Sequence, residues 1–276
     1  MPVVAAHETM QLVTRQTRRL SRHLALQIKR VLKSCDPNAV HQVRVAIRRF
    51  SQGIVVCKPC FAAKDLHKCR RRLKKIMSAA GQVRNCDIAD KFIDRWSLPR
   101  ADRLRAKLEI RREDAARVLV TELKRWTDRK LTAQDCAGKS LQEMAREALD
   151  SMAKDFHERG NEAASPKASP HDMHSFRIVA KKFRYTLELF DASNPLVAGI
   201  KRVSALLGDI NDCVTAAVLV PRLGAHLKKR QRKKTEEFRQ YWALEFAKPR
   251  KKPVGSAQAS RRQSRPEEPP GKAAAG

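Results

Sequence analysis

The sequence predicts an all-α protein built from two copies of one helical unit. Aromatic residues make up only 5% of the 276 residues and there are only 10 glycines, which disfavours β-sandwiches and β-barrels. Apolar residues recur with a helical period, and no stretch shows the strict alternation of a strand. A short pattern of capping residue, proline and histidine also occurs once in each half of the chain.

The charge balance indicates the class of partner. Lys and Arg number 59 against 29 Asp and Glu, which gives a formal net charge of +30. An excess of this size, not confined to one tail, opposes compaction unless a polyanion accepts it. Nucleic acid, an anionic membrane surface and inorganic polyphosphate are therefore the candidate partners.

Hydropathy and cysteine usage indicate the compartment. No apolar run is long enough to span a membrane, and the N-terminal stretch MPVVAAHETM lacks the layout of a signal peptide. The seven cysteines are odd in number and scattered, which favours reduced thiols over a disulfide framework. The sequence thus predicts a cytoplasmic protein.

The helices can be placed from their periodicity and their end signals. An N-cap followed by proline occurs at Asp36 and at Ser169, and Gly81 and Gly208 are predicted to end helices. The residues predicted to cap the helices after these glycines are Asn85, Asn211 and Asp212. The predicted helices span roughly 5–33, 38–57, 62–80, 86–96, 100–130, 138–159, 170–191, 196–208 and 211–246.

Two matches between the halves indicate an internal duplication. The pattern Asp36, Pro37 and His41 recurs 133 residues later, and SAAGQVRNCD from Ser78 matches SALLGDINDC from Ser204. This period is too long for a TPR or HEAT solenoid, so duplicated helical bundles remain. We predict one unit in residues 1–135, a second in 136–246 and, because 247–276 is rich in Pro, Ala, Ser and Arg, a disordered basic tail there.

The repeated stretches HQVRVAIRRF and HSFRIVAKKF separate basic from apolar residues when they are placed on a helix. The basic side carries His41, Arg44, Arg48 and Arg49 in the first copy and His174, Arg177, Lys181, Lys182 and Arg184 in the second. The helix after the first copy repeats the design with Lys64, Lys68, Arg71, Arg72 and Lys75. The apolar side holds Phe50, Phe176 and Phe183.

These basic stripes differ from ordinary solvated helix faces. Solvated faces interleave acids with bases one turn apart, because like charges there repel. The stripes contain no acidic residue, which favours an anion lying along them over simple solvation.

A chain of phosphates suits these side chains best. The arginine fork matches phosphate oxygens, lysine adds a mobile charge, and histidine donates a hydrogen bond or becomes cationic beside an anion. A site that reads nucleotides would also need aromatic platforms for the bases. Since the phenylalanines are predicted to be buried, a ligand with charge but no bases fits better.

The segments HQVRVAIRRF, HSFRIVAKKFRYTLELF, GQVRNCD and LLGDIND resemble the signature segments of the CHAD family, the "conserved histidine α-helical domain". The resemblance covers residues 37–219. It implies two pseudo-symmetric four-helix bundles that form one duplicated domain around a basic channel, binding of inorganic polyphosphate and, in some members, location at polyphosphate granules. The basic positions it implies are those of the two repeated stretches together with Arg84. The family commonly has Arg-Asp where this chain has Arg84-Asn85.

Apparent metal and enzyme motifs have simpler interpretations. The stretch HDMH from His171 resembles a two-histidine metal site, but Ser169 with Asp172 forms a capping arrangement. A zinc site at the CxxC of Cys57 is disfavoured, because the nearby His67 and Cys69 would point to different helix faces. No carboxylate pair, activated nucleophile or Walker-type loop is present. We therefore expect no metal, no cofactor and no catalysis.

Two other functions stay open. The net charge, the basic tail and the run KKRQRKK from Lys228 to Lys234 suit a nucleic-acid-binding or architectural protein, for which base platforms are missing. The run also suits a solvated, basic helix end. A granule scaffold is the second possibility, with polyphosphate as the attachment point and the tail recruiting partners.

Overall fold

The computed structural model describes residues 2–96, 100–126, 131–134, 136 and 138–247, with side chains from residue 7 onward. These residues form eight α-helices and two short 3-10 helices, with no strand among them, so the all-α prediction is confirmed. The α-helices are α1 (Pro2–Lys33), α2 (Pro37–Val56), α3 (Ala63–Trp96), α4 (Ala101–Lys124), α5 (Leu141–Ala164), α6 (Pro170–Phe190), α7 (Leu196–Leu219) and α8 (Gly224–Glu245). The predicted tail, from residue 248 onward, lies outside the described residues.

The helices form two units of four with the same packing order. In each unit the first helix packs against the second and the third against the fourth: α1 on α2 and α3 on α4, then α5 on α6 and α7 on α8. The units meet where α2 packs against α6 and α3 against α7. The four helices that carry the repeated motifs therefore lie at the centre. Within the described residues, no helix is long and apolar enough to cross a membrane.

The two predicted N-caps are confirmed. The Asp36 carboxylate accepts hydrogen bonds from the backbone N–H groups of Asn38 and Ala39, both at 2.9 Å. Ser169 and Asp172 form a reciprocal capping box, in which each side chain accepts a hydrogen bond from the backbone of the other. The capping box accounts for the acid in the HDMH stretch.

Gly81 and Gly208 do not end helices, contrary to the sequence prediction. Gly81 lies within α3 and Gly208 within α7, so 62–80 joins 86–96 and 196–208 joins the first part of 211–246. Glycine in a helix interior costs only about 1 kcal/mol relative to alanine, which tertiary packing readily offsets. At Gly81 a Cβ would stand 3.1 Å from the guanidinium of Arg44, so the glycine leaves room for that side chain.

Two further predictions about helix ends are also wrong. Asn85, Asn211 and Asp212 are not helix caps, because α3 and α7 run through them without interruption. The predicted long helix over 211–246 instead breaks at Val220, where Pro221 begins a 3-10 turn. Proline lacks the N–H that would continue the helical hydrogen bonding.

Three apolar clusters form the core. One lies in the first unit and one in the second, and the predicted burial of Phe50, Phe176 and Phe183 is confirmed at 3%, 0% and 2% exposure. The third cluster joins the units, since residues of α3 such as Ile93 belong to it together with residues of α7 such as Cys213. The relative position of the two units therefore rests on buried apolar contact as well as on polar contact.

The cysteine prediction is wrong for one pair. Cys60 and Cys136 form a disulfide, and the loop after α4 returns to this position because the N–H of Gln134 donates to the Cys60 carbonyl at 2.8 Å. The two cysteines are 76 residues apart in the sequence, and this spacing does not predict that they form a pair. Cys57 is buried with a free thiol, and no group of three or more potential metal ligands occurs within the described ranges.

A pair of glycine substitutions tests the packing. A Cβ at Gly160 in α5 would overlap the indole of Trp242, which is 1% exposed, whereas a Cβ at Gly208 meets nothing within 4 Å. We expect Gly160→Ala to lower the free energy of unfolding by about 2 kcal/mol. Gly208→Ala should raise it by about 0.5 to 1 kcal/mol. Urea unfolding followed by circular dichroism measures both, and equal stability of the two variants would contradict the packing described here.

Candidate functional site

Basic side chains from three of the four central helices come together where the two units meet. They are His41, Arg44 and Arg48 of α2, Arg84 of α3, and Arg177 and Lys181 of α6. We call this set the central cationic cluster. Both copies of the repeated motif contribute to it, because α2 packs against α6.

In the protein without a ligand, the side chains of the central cationic cluster repel one another. Burial, and then the charges of Arg48 and Arg177, lower the pKa of Arg44 to about 10. Burial, and then Arg177 and Arg48, lower the pKa of Lys181 to about 6. Burial and the neighbouring arginines also lower the pKa of His41. Each shift disfavours the charged form, so the cluster destabilises the free protein and would be relieved by an anion.

One acid, Asp212, faces this cluster from α7. Burial raises the pKa of Asp212, while the charges of Arg177, Arg84 and Lys181 act in the opposite direction. A single carboxylate offsets only part of the positive charge. The sequence could have predicted this position of Asp212. The repeat aligns Asp212 with Asn85, which follows Arg84, and a continuous helix through these residues would have placed them together.

Hydrogen bonds orient some of the side chains and leave one without a partner. Nη1 of Arg44 donates to the Met77 carbonyl at 3.1 Å, which links α2 to α3. Nδ1 of His174 lies 3.2 Å from Oδ1 of Asn211. Nε of Arg177 is buried and finds no acceptor in the described part of the chain.

Two of the predicted binding arginines form an ion pair with an acid instead. Glu188 of α6 lies 3.2 Å from Nη2 of Arg49 on α2 and 3.7 Å from Nε of Arg184 on its own helix. The prediction that the stripes contain no acid is therefore wrong, because Glu188 follows Arg184 by one turn. Arg49 thus helps to join the units, whereas the pair of Arg184 with Glu188 lies within α6. Lys182 is exposed on α6 and makes no contact that places it in the cluster.

The basic residues at the start of α3 lie apart from the central cationic cluster. They line a groove of about 400 Å³ next to the end of α4, which we call the α3–α4 groove: Lys68, Arg71, Arg72 and Lys75, with Arg125 and Trp126 from the chain after α4. Arg84, nine residues beyond Lys75, falls half a turn around the helix at 100° per residue. The sequence grouped these residues with the cluster, but α3 presents them on a different side.

The family model of the CHAD domain matches residues 15–221 of the 276. The chain belongs to the CHAD domain family. The match includes the central cationic cluster and the α3–α4 groove, so both lie within the CHAD domain.

Two solved structures share this fold. The crystal structure of the CHAD domain from the plant Ricinus communis is similar with a TM-score of 0.60 at 16% identity, over 85% of this chain and 91% of that one. PptA from Streptomyces chartreusis has a TM-score of 0.60 at 15% identity, over 85% of this chain and 99% of that one. At this identity the likeness shows the fold alone. No curated protein sequence matches the chain.

Substitution of one lysine tests the repulsion within the CHAD domain's cluster. The pKa of Lys181 is about 6 in the folded protein and 10.5 in a model peptide, so between these pH values the unfolded chain binds more protons. This difference makes the folded state more stable as pH rises through that window. We expect Lys181→Met to raise the free energy of unfolding at pH 7 by at least about 1 kcal/mol and to flatten its pH dependence.

Lys182→Met is the matched control, because Lys182 is the exposed neighbour on the same helix. Urea unfolding between pH 6 and pH 9 gives both free energies. A Lys181→Met protein that is less stable than the wild type would show that the lysine is favourably paired rather than repelled.

Proposed function

We propose that the protein binds inorganic polyphosphate at the central cationic cluster. The observation that carries this proposal is the set of half-buried like charges, offset by one carboxylate, at the meeting point of the two units. Protein interiors avoid such sets unless a counter-charge arrives, because burying unpaired charge is costly. A polyanion in the cluster would turn the repulsion in the free protein into attraction in the complex.

A phosphate chain fits the cluster better than a nucleic acid. Arginine binds phosphate oxygens through a planar fork, and the cluster offers four arginines: Arg44, Arg48, Arg84 and Arg177. The phenylalanines of the repeated motifs point into the core and give no platform for a base. The CHAD family is associated with polyphosphate-related proteins, which supports the same ligand.

The run KKRQRKK adds little to the nucleic-acid alternative. Arg230 and Lys234 lie 3.7 and 3.8 Å from the carboxylate of Asp209 on α7, so part of the run helps to hold α8 in place. Nucleic acid is therefore treated as a competitor in the test rather than as a second proposal.

The proposed role is binding without catalysis. The cluster supplies positive charge and one buried carboxylate, and within the described residues it has no nucleophile activated by an adjacent base. A bound chain would also attach the protein to polyphosphate granules, so granule location or a scaffold role belongs to the same proposal.

Removal of charge from the cluster should weaken binding without weakening the fold. Arg48 repels His41, Arg44, Arg177 and Lys181, and Arg177 has an unsatisfied Nε. We expect Arg48→Gln with Arg177→Gln to lower the polyphosphate affinity at least about tenfold, the equivalent of 1.4 kcal/mol, while the thermal midpoint stays equal or rises. Titration calorimetry at fixed ionic strength and a thermal melt measure the two effects.

Arg18→Gln with Arg19→Gln removes the same charge from an exposed part of α1 and should change the affinity much less. Duplex DNA at equal phosphate concentration should compete poorly, because the charges of polyphosphate are denser and it has no bases to accommodate. Equal loss of affinity in both double variants, or better binding of DNA, would count against the proposal.

Binding should also take up protons. The ligand favours the charged form of Lys181, whose pKa of about 6 leaves it largely neutral in the free protein at pH 8. The affinity for long-chain polyphosphate should therefore rise as pH falls from 8 to 6, by up to about tenfold per pH unit for each proton taken up. Calorimetry in two buffers of different ionisation enthalpy counts the protons.

Lys181→Arg, which stays charged throughout, should reduce the proton uptake, and Lys182→Arg should not. An affinity that is constant over this pH range in the wild type would mean that Lys181 does not meet the ligand.

A further inference from the structure

The α3–α4 groove has the size of a small-molecule site and a strongly basic lining. Its volume of about 400 Å³ lies within the usual range for bound cofactors and metabolites. Lys68, Arg71, Arg72 and Lys75 follow one another at helical spacing, so they line about 10 Å of the α3 axis. A short chain of phosphates could contact several of them at once.

One carboxylate holds two of the arginines in the groove and leaves the other cations free of ion pairs. Oε2 of Glu122 lies 3.2 Å from Nη1 of Arg72, and its Oε1 lies 3.3 Å from Nη1 of Arg125. Arg72 also donates to the Glu122 carbonyl at 3.3 Å. Within the described residues, no acid pairs with the remaining cations, Lys68, Arg71 and Lys75. The groove therefore combines two guanidinium groups paired with one acid and three cations that have no ion pair within the described residues.

The second unit provides an internal comparison. A groove of about 260 Å³ lies in the equivalent place, between the start of α7 and the end of α8, and its lining includes Pro195, Leu196, Ala198, Gly199, Glu245 and Phe246. The first four of these residues match Lys68, Cys69, Arg71 and Arg72 at the shift of 127 that aligns Gly81 with Gly208. The fold thus forms a groove at this position in each unit, but the packing of the helices does not require basic residues in its lining.

Both grooves have an aromatic ring in their lining, Trp126 in the first and Tyr241 in the second, but only the first combines the ring with cations. The indole is half-buried, with Phe50 at its edge at a centroid distance of 6.4 Å, and it lines the groove. Its Nε1–H is buried and finds no acceptor among the described residues. In the second unit, Phe246 is 5% exposed and stacks on Trp242 in the core.

We propose that the α3–α4 groove binds a nucleoside di- or triphosphate, with the phosphates on Lys68, Arg71 and Lys75 and the base on Trp126. Cations beside an aromatic ring are what a ligand with both phosphates and a planar base requires. The central cationic cluster has the cations without the aromatic ring. The two sites therefore differ in ligand, and this proposal stands independently of polyphosphate binding.

Calorimetric titration with ATP, tripolyphosphate and adenosine, without Mg²⁺ at fixed ionic strength, tests the site. The full chain carries Arg48→Gln with Arg177→Gln in this titration, so that binding of tripolyphosphate at the central cationic cluster is weakened. We expect ATP to bind at least about tenfold more tightly than either of the other two. Arg71→Gln with Lys75→Gln should weaken ATP binding at least tenfold. Arg70→Gln with Lys74→Gln makes the same charge change at exposed positions of α3 outside the groove and should leave it unchanged.

The base contact has its own variants. Trp126→Leu should reduce the affinity for ATP to that for tripolyphosphate, and Trp126→Phe, which conserves an aromatic ring, should retain part of the difference. Equal affinities for ATP and tripolyphosphate in the Arg48→Gln, Arg177→Gln chain would overturn the assignment of a nucleoside ligand. Absence of ATP binding at millimolar concentration would overturn the site itself.

A last comparison separates this site from the central one. Arg48→Gln with Arg177→Gln should weaken polyphosphate binding and leave ATP binding as it is. Loss of ATP binding in that variant, with no effect of the Arg71 and Lys75 substitutions, would place the nucleotide on the central cationic cluster and overturn the proposal.

Discussion

The packing of α2 against α6 brings two copies of a basic motif together, and the rest of the structure must hold them there against repulsion. The core shared by α3 and α7 supplies much of the attraction between the units. Polar contacts add to it between α2 and α6, where Glu188 binds Arg49 and the hydroxyl of Thr186 donates to Gln52 at 3.4 Å. Some charged residues thus join the units through ion pairs, whereas the charges of the central cationic cluster are only partly compensated by an acid.

The duplication explains the site, but the two copies have diverged. Arg84 in the first copy corresponds to Asn211 in the second, and Asn85 corresponds to Asp212. The second copy therefore contributes the Asn211 amide beside His174 and the Asp212 carboxylate, whereas the first copy contributes an additional arginine, Arg84. The excess positive charge of the cluster is unevenly divided between its two sides, and a symmetric ligand would meet an asymmetric site.

Helical periodicity and the repeat were enough to predict the all-α fold, the buried phenylalanines and the basic members of the cluster on α2 and α6, whereas Arg84 followed from the resemblance to the CHAD family. Those features depend on spacing along one helix, which the sequence displays directly. The failures depend on contacts between helices. Gly81 was read as a helix end although it accommodates Arg44, and Glu188 was overlooked although it pairs with Arg49 139 residues away. Neither contact leaves a local pattern, because distant parts of the chain make it.

A site of this kind links stability to binding. Repulsion within the cluster lowers the stability of the free CHAD domain. A ligand that neutralises the cluster stabilises the folded state both by removing this repulsion and by its own contacts. The ligand-free protein need not rearrange to create the site, because the shared core and the ion pairs of Glu188 already set the position of the charges. Preorganisation of this kind keeps the entropic cost of binding low, since the arginines are ordered before the ligand arrives. The same reasoning separates the cluster from the α3–α4 groove, where Glu122 pairs with two arginines and the remaining cations have no ion pair within the described residues. The two proposals therefore differ in the ligand that each site requires: an extended anion of uniform charge at the cluster, and a small ligand that carries both phosphates and a ring at the groove.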